Sequence, residues 1–374
     1  MKNYSLLKLT IILSLCLIDV QNISAQSDST LPTLIPYRKG DKWGYCNQKK
    51  EIIIPCKYDE AGRFHEGLAK VRLYEKWGYL DKEGKEAIPL KYYNAWDFRE
   101  GLAVVVVFNN VSISYQWGFI DNAGNEVIPL NYAGAIPFQD GLSAVGQGSG
   151  ENIKYGYINK MNKKVIPLIY DAAYSFKDGI AKVKLNDKWG FIDKEGKEVI
   201  PLKYNWAGNE NDSLIGVKLN NKYGFVNMNG KVVIPIKYDG VCDFSEDYAA
   251  VKLNNKWGFI DKEDKEAIPI KYDDAFWFSE GLVSVKLNGK MGFINKEGIE
   301  IIPIKYDAES NFNEGYATVS LNNKWGFINK EGKEVVPLGY YGFVENYDEG
   351  LAAVYIDWKL HCYIDKNGSE YLEK

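Results

Sequence analysis

With 374 residues, 46% of them apolar and 26% charged, the chain can bury a sizeable interior and is too apolar to be disordered. Its net charge of −4 arises from 46 basic and 50 acidic residues interleaved along the sequence, which excludes the one-signed field that binds nucleic acid. The whole chain holds 2 histidines, His65 and His361, so no His pair has metal-ligand spacing and no cofactor is expected.

Residues 1–25 read as a secretory signal. Lys2 and Lys8 supply positive charge, an apolar run follows over 9–18, and Ile23-Ser24-Ala25 offers small residues at a cleavage site before Gln26. The residue before Cys16 is Leu15, too bulky for a lipid-attachment box, so lipidation is not expected. No later stretch is long and apolar enough for a spanning helix, and the mature chain, 26–374, is expected in the periplasm, outside the cell or against the envelope. It retains Cys46, Cys56, Cys242 and Cys362, read as small buried hydrophobes, with three disulfide pairings open on paper.

From Trp43 onward the sequence repeats. Anchors stand at Trp43, Trp77, Trp117, Tyr155, Trp189, Tyr223, Trp257, Met291, Trp325 and His361, spaced by 34, 40, 38, 34, 34, 34, 34, 34 and 36 residues. A proline follows each of the first nine anchors at a fixed distance (Pro55, Pro89, Pro129, Pro167, Pro201, Pro235, Pro269, Pro303, Pro337), and a tyrosine stands three residues beyond it, from Tyr58 to Tyr340. A period this strict predicts a repeat architecture of ten units, the last a degenerate cap.

Turn chemistry divides each unit. Asn254-Asn255 and Asn288-Gly289 predict type I′ hairpins, because these residues tolerate positive φ, between one strand and the strand that carries Trp-Gly. Asp193 to Lys197 predicts a second hairpin whose Gly196 is left-handed, followed by a strand that holds Pro201 and is therefore an edge. Three strands per unit result, joined to the next unit by a loop. The expected register places Val285 opposite Gly292, Val283 opposite Ile294, Phe191 opposite Val199 and Trp189 opposite Pro201. Both faces of such a sheet are apolar, so units must cover one another. The expected fold is an all-β tandem array of ten three-stranded meanders in an elongated superhelical solenoid. A closed propeller-like ring is the alternative, disfavoured by three strands and ten blades.

The glycines after the anchor (Gly44, Gly78, Gly118, Gly190, Gly258 and Gly326 among them) and the tryptophans Trp43, Trp77, Trp117, Trp189, Trp257 and Trp325 read as the packing joint between units, with a neighbouring unit's aromatic over each glycine.

Lys188 to Pro201, Lys-Trp-Gly-Phe-Ile-Asp-Lys-Glu-Gly-Lys-Glu-Val-Ile-Pro, resembles the signature of the WG-repeat (KWG) family, and the resemblance extends over nearly all of the mature chain. It implies a bacterial β-repeat protein, often exported or envelope-associated, with no general biochemical activity attached to the repeat. Tyr155, Tyr223, Met291 and His361 depart from the pattern and bear on packing.

No catalytic constellation emerges. The acids before the glycine that opens a strand (Glu66, Glu100, Asp140, Asp178, Glu280, Glu314, Glu349) recur too regularly for a catalytic pair or a calcium site and read as turn or rim residues. Binding is expected where the period breaks: at the non-periodic aromatics Trp96, Trp206, Trp277 and Trp358, and at two lengthened hairpins near 109–115 and 146–152, with Tyr115, Gln147 and Asn152. The expected function is a non-catalytic, monomeric scaffold for a protein partner, with a glycan-binding module that uses the irregular aromatics as the alternative.

Overall fold

The structure, a computed structural model, describes residues 31–209, 213–356 and 359–373; residues 1–25, expected to be a signal segment, and Trp358 lie outside the described residues. The hairpins form as their residues dictate. Asn254 and Asn255 hold φ of 51° and 63°, and Asn288 and Gly289 hold 52° and 81°, the double left-handed turn that matches strand twist. In the following turn Gly196 has φ 83°, while Asp193 Oδ1 accepts the N–H groups of Glu195 at 3.1 Å and Lys197 at 2.8 Å. Val285 pairs with Gly292 and Val283 with Ile294, as expected.

The pairing to the proline strand differs from the expected register. Trp189 faces Tyr204 and Phe191 faces Ile200, so Gly190 stands alone against Pro201, Leu202 and Lys203. Those residues bulge out of the ladder, which removes any penalty for the proline's missing N–H. In the equivalent unit, a Cβ on Gly258 would lie 2.6 Å from Ile270 Cα and 2.7 Å from Ile268 O. The glycine is therefore required by the bulged backbone of its own unit, which comes nearer to it than the neighbouring aromatic that was expected. In the ninth unit an extra residue puts Tyr341, rather than Tyr340, opposite Trp325.

Eight of the units also have a fourth strand among the described residues. Two residues of the connecting segment, such as Asn94–Ala95 or Asp274–Ala275, pair with the strand that follows. The sheets thus comprise residues 35–58, 60–92, 94–132, 134–170, 172–204, 206–238, 240–272, 274–306, 308–341 and 343–365, here called blades 1 to 10. Blades 2 to 9 have four strands in sequential antiparallel order, blade 1 lacks the first strand, and blade 10 has three named strands.

Hydrophobic layers lie between blades. Tyr79, Ile88 and Tyr92 of blade 2 pack with Ala95, Phe98, Ala103, Val105 and Ile120 of blade 3, and equivalent residues recur at each later seam. The side chain two positions after the anchor makes the joint: Tyr45, Tyr79, Phe119, Tyr157, Phe191, Phe225, Phe259, Phe293 and Phe327 are at most 1% exposed. Most meet an aromatic of the next blade, as Phe119 meets Phe138 at 4.9 Å. The anchor tryptophans other than Trp43 are partly buried and pack against the same inter-blade layers, so they flank a joint whose fully buried centre is the residue two positions on.

The last seam overturns the elongated solenoid. Ile35, Tyr37 and Cys46 of blade 1 form one buried cluster with Leu351 of blade 10 and Tyr371. The C-terminal segment clasps both blades: Tyr371 N–H donates to Tyr363 O at 2.8 Å, Arg38 N–H to Tyr371 O at 3.2 Å, and Glu373 N–H to Arg38 O at 2.8 Å. Leu372 thereby pairs in parallel with the edge of blade 1 that has no first strand. The fold is a closed ten-bladed β-propeller. The short strand hidden in the connecting loop, and the clasp, are what the three-strand count lacked. No helix among the described residues is long and apolar enough to cross a membrane.

Candidate functional site

Antiparallel order puts the hairpin between the second and third strands, and the connection to the next blade, on one rim of the ring. The other turns lie on the opposite rim. Both rims carry polar staples from blade to blade.

On the first rim, the lysine before the anchor pairs with an aspartate in the connection to the next blade. Lys42 meets Asp59, Lys222 meets Asp239 and Lys256 meets Asp273, each at 2.6 Å; Lys290 meets Asp307 at 2.5 Å, and Lys154 meets Asp171. The lysine hydrogen bond holds all five carboxyls below the ordinary aspartate range. The aspartate's other oxygen accepts an N–H from the next blade's hairpin, as Asp59 does from Tyr74 at 2.8 Å and Asp239 from Asn254 at 2.9 Å.

On the second rim the recurrent acids find their role. Glu66, Glu100, Asp140, Asp178, Glu280, Glu314 and Glu349 all have φ near 50°. Glu66 caps Gly101 N–H at 2.9 Å and Glu314 caps Gly350 N–H at 2.9 Å, one blade onward. Lysines of the next blade's last turn pair with the same acids: Lys160 with Glu100 at 3.1 Å, Lys330 with Glu280 and Lys366 with Glu314, both at 3.0 Å. Glu246 serves in blade 7, where the sequence pattern had shown no acid in the series.

The staple aspartate is absent at four connections: Asn205 and Gly342 stand in its place at the entries to blades 6 and 10, and two successive losses fall at blades 2 to 4. There it is replaced by Tyr93 and then by Ala133, and the lysine before Trp117 is Gln116. In place of the ion pair, Tyr115 donates a hydrogen bond to the Tyr93 hydroxyl at 3.0 Å, and that bond raises the Tyr115 pKa. Their rings lie 4.7 Å apart, and Phe108 sits 5.1 Å from Tyr115. Tyr93, Phe108 and Tyr115 are 48%, 40% and 41% exposed; the hairpin tip beyond them shows Val111 at 95% and Ile113 at 79%. Exposed apolar side chains therefore replace a polar staple at this lengthened hairpin.

The other sequence candidates are scattered. Trp96 is partly buried and stacked on Trp117 at 4.9 Å, a packing role. Trp206 lies against Tyr223 at 5.6 Å and Trp277 beside Phe276 at 6.2 Å, with 36% and 49% exposure. Gln147 and Asn152 are exposed in the neighbouring lengthened hairpin, a polar 3-10 turn over Gly150–Asn152. Tyr93 and Phe108 were not singled out in the sequence. Their signal was the loss of the aspartate that follows the repeat tyrosine.

The four cysteines among the described residues are free; Cys46 and Cys362 are buried, Cys56 and Cys242 half-buried. Cys362 has His361 beside it and Glu370 nearby, the one group of His, Cys and acidic residues among those described whose ligand atoms fall within 4.8 Å of one another.

A family model described as "WG containing repeat" matches residues 43–77, 77–110, 117–149, 155–189, 189–223, 223–257, 257–290, 291–325 and 325–357. No curated protein matches the sequence. Among solved structures, the crystal structure of a eukaryotic initiation factor is similar with a TM-score of 0.54 at 10% identity, over 82% of this chain and 95% of that one. The tricorn protease matches at 12% identity over 87% of this chain and 42% of that one, with a TM-score of 0.24. Kluyveromyces lactis Hsv2 matches at 11% identity over 71% and 94%, with a TM-score of 0.34. The first likeness concerns fold alone and agrees with the closed ring; the other two are too remote to add to it.

Proposed function

The chain belongs to the WG-repeat family, and from that premise we propose that it is a non-catalytic scaffold, exported from a bacterial cell, that binds a protein partner on the first rim at blades 2 to 4. The observation that carries this reading is the exposed surface of Tyr93, Phe108, Val111, Ile113 and Tyr115. The hairpins of blades 5 to 9 are two-residue turns with Asn at one or both positions; here the chain spends extra residues and keeps apolar groups in water. Such a patch gains free energy when a partner covers it, and aromatics contribute large contact area at low entropic cost. Two histidines on different blades, His65 in blade 2 and His361 in blade 10, support a role without acid–base chemistry.

Half-exposed Trp277 favours a second reading, a glycan stacked on an aromatic face. One experiment separates the two. The mature protein, a variant with 110–113 replaced by Asn-Gly, and Trp277→Ala are compared for capture of proteins from the native organism and on a glycan array. Shortening the hairpin is expected to leave melting unchanged and to lower partner capture at least tenfold, with Trp277→Ala unaffected. Undiminished capture by the shortened variant rejects the site, and glycan binding lost in Trp277→Ala establishes the second reading instead.

A further inference from the structure

The anchor pair Trp-Gly is replaced in blade 10 by His361-Cys362. Neighbours on a regular strand point to opposite faces, but this strand is bulged: Val354 pairs with Cys362 and Tyr355 with Leu360, leaving His361 as an extra residue. A bulge re-aims side chains, and here it lets consecutive residues serve one site. The glycine is dispensable because the bulged strand that would press on it is absent; the chain instead turns at Gly368 and returns with Glu370, which bridges to Ile364. His361, Cys362 and Glu370 thereby bring an imidazole nitrogen, a thiol sulfur and a carboxylate oxygen within 4.8 Å of one another. A cavity of about 460 Å³, lined by Lys50, Gly368, Ser369, Glu370 and Leu372, lies beside Glu370.

We propose that His361, Cys362 and Glu370 form a binding site for a borderline-soft divalent cation of the zinc type, which ties the third strand of blade 10 to the clasp that closes the ring. One nitrogen, one sulfur and one oxygen ligand with a water in the fourth position is a tetrahedral set that suits zinc and leaves calcium or magnesium without their preferred oxygens. Binding releases the thiol proton. Arg38 and Lys50 lie close enough to the thiol to act on it electrostatically, and the thiolate and carboxylate charges offset their repulsion of a metal ion. Because Glu370 begins the segment whose next residues pair with Arg38, a metal here stabilises ring closure.

The test uses the mature protein stripped with chelator and titrated with Zn²⁺ alone. Expected are one Zn²⁺ per chain, a rise in melting temperature, and a thiolate-to-metal charge-transfer band with Co²⁺. Cys362→Gly, which restores the residue of the other units, and Glu370→Gln should each weaken Zn²⁺ binding at least tenfold and abolish the thermal shift. The Co²⁺ band should vanish in Cys362→Gly and survive in Cys46→Ser. Absence of stoichiometric Zn²⁺ binding by the wild type overturns the proposal, as does an unchanged Co²⁺ band in Cys362→Gly. Should Cys362→Gly not fold, His361→Gln with the same readouts decides.

Discussion

At the seam between blades 7 and 8, Phe259 meets Phe278 at 5.2 Å over a layer that includes Ile268, Tyr272, Val283 and Val285. At the seam between blades 10 and 1, the cluster is Ile35, Tyr37, Cys46, Leu351 and Tyr371, and main-chain bonds from Tyr371 and Glu373 to Arg38 join the two blades. The internal seams need no main-chain bonds between blades, because the covalent connection and the repeated aromatic joint already set register. The closing seam joins chain ends with no covalent link, and there the backbone itself supplies direction and register.

That contrast can be broken from either side. The largest effect is expected for Gly258→Val inside blade 7, one side of the internal seam: its Cβ would meet bulged backbone that cannot move without opening the blade. Stability should fall by more than about 4 kcal/mol, and thermal unfolding identical to wild type would show that the bulge yields. Next, ending the chain at Ser369 should cost about 3 kcal/mol, since Tyr371 and half-buried Leu372 leave their packing. Here the blades should persist by circular dichroism while the hydrodynamic radius grows, and an unchanged radius and melting point would deny the clasp its role.

The third effect sharpens how far internal seams are alike. Glu309 occupies the first strand of blade 9 where Ala95, Ala135 and Ala275 stand in others, and burial pushes its pKa up to about 7. One of its carboxyl oxygens has no hydrogen-bond partner. A carboxyl raised from 4.5 in this way is neutral and tolerated below that value, and its contribution to stability is lost as pH rises through about 7. Glu309→Gln should remove that loss and gain roughly 2 kcal/mol at pH 9 with little change at pH 4. Parallel melting curves of the two proteins across this range would locate the pH dependence elsewhere.

Much of the candidate surface was legible because it is aperiodic. Tyr115 stood in an insertion, and an insertion shows against a fixed spacing. Tyr93 and Phe108 were hidden, Tyr93 behind the repeat tyrosine beside it and Phe108 in an apolar strand, and the partner that exposes their role lies across the hairpin. The His361-Cys362-Glu370 group was hidden for a similar reason: no spacing rule anticipates a bulge that turns neighbours to one side.

The sequence by itself determined the ten units, the two hairpin types and the pairing of Val285 with Gly292, because turn propensity and strand alternation are local and repeat identically. Tertiary structure decided whether the array stays open or closes. Closure rests on Tyr371 finding Arg38 across the last seam, a contact between residues far apart in the chain, while a two-residue strand too short for any periodicity and a proline bulge that shifts register were decided by pairing within each blade.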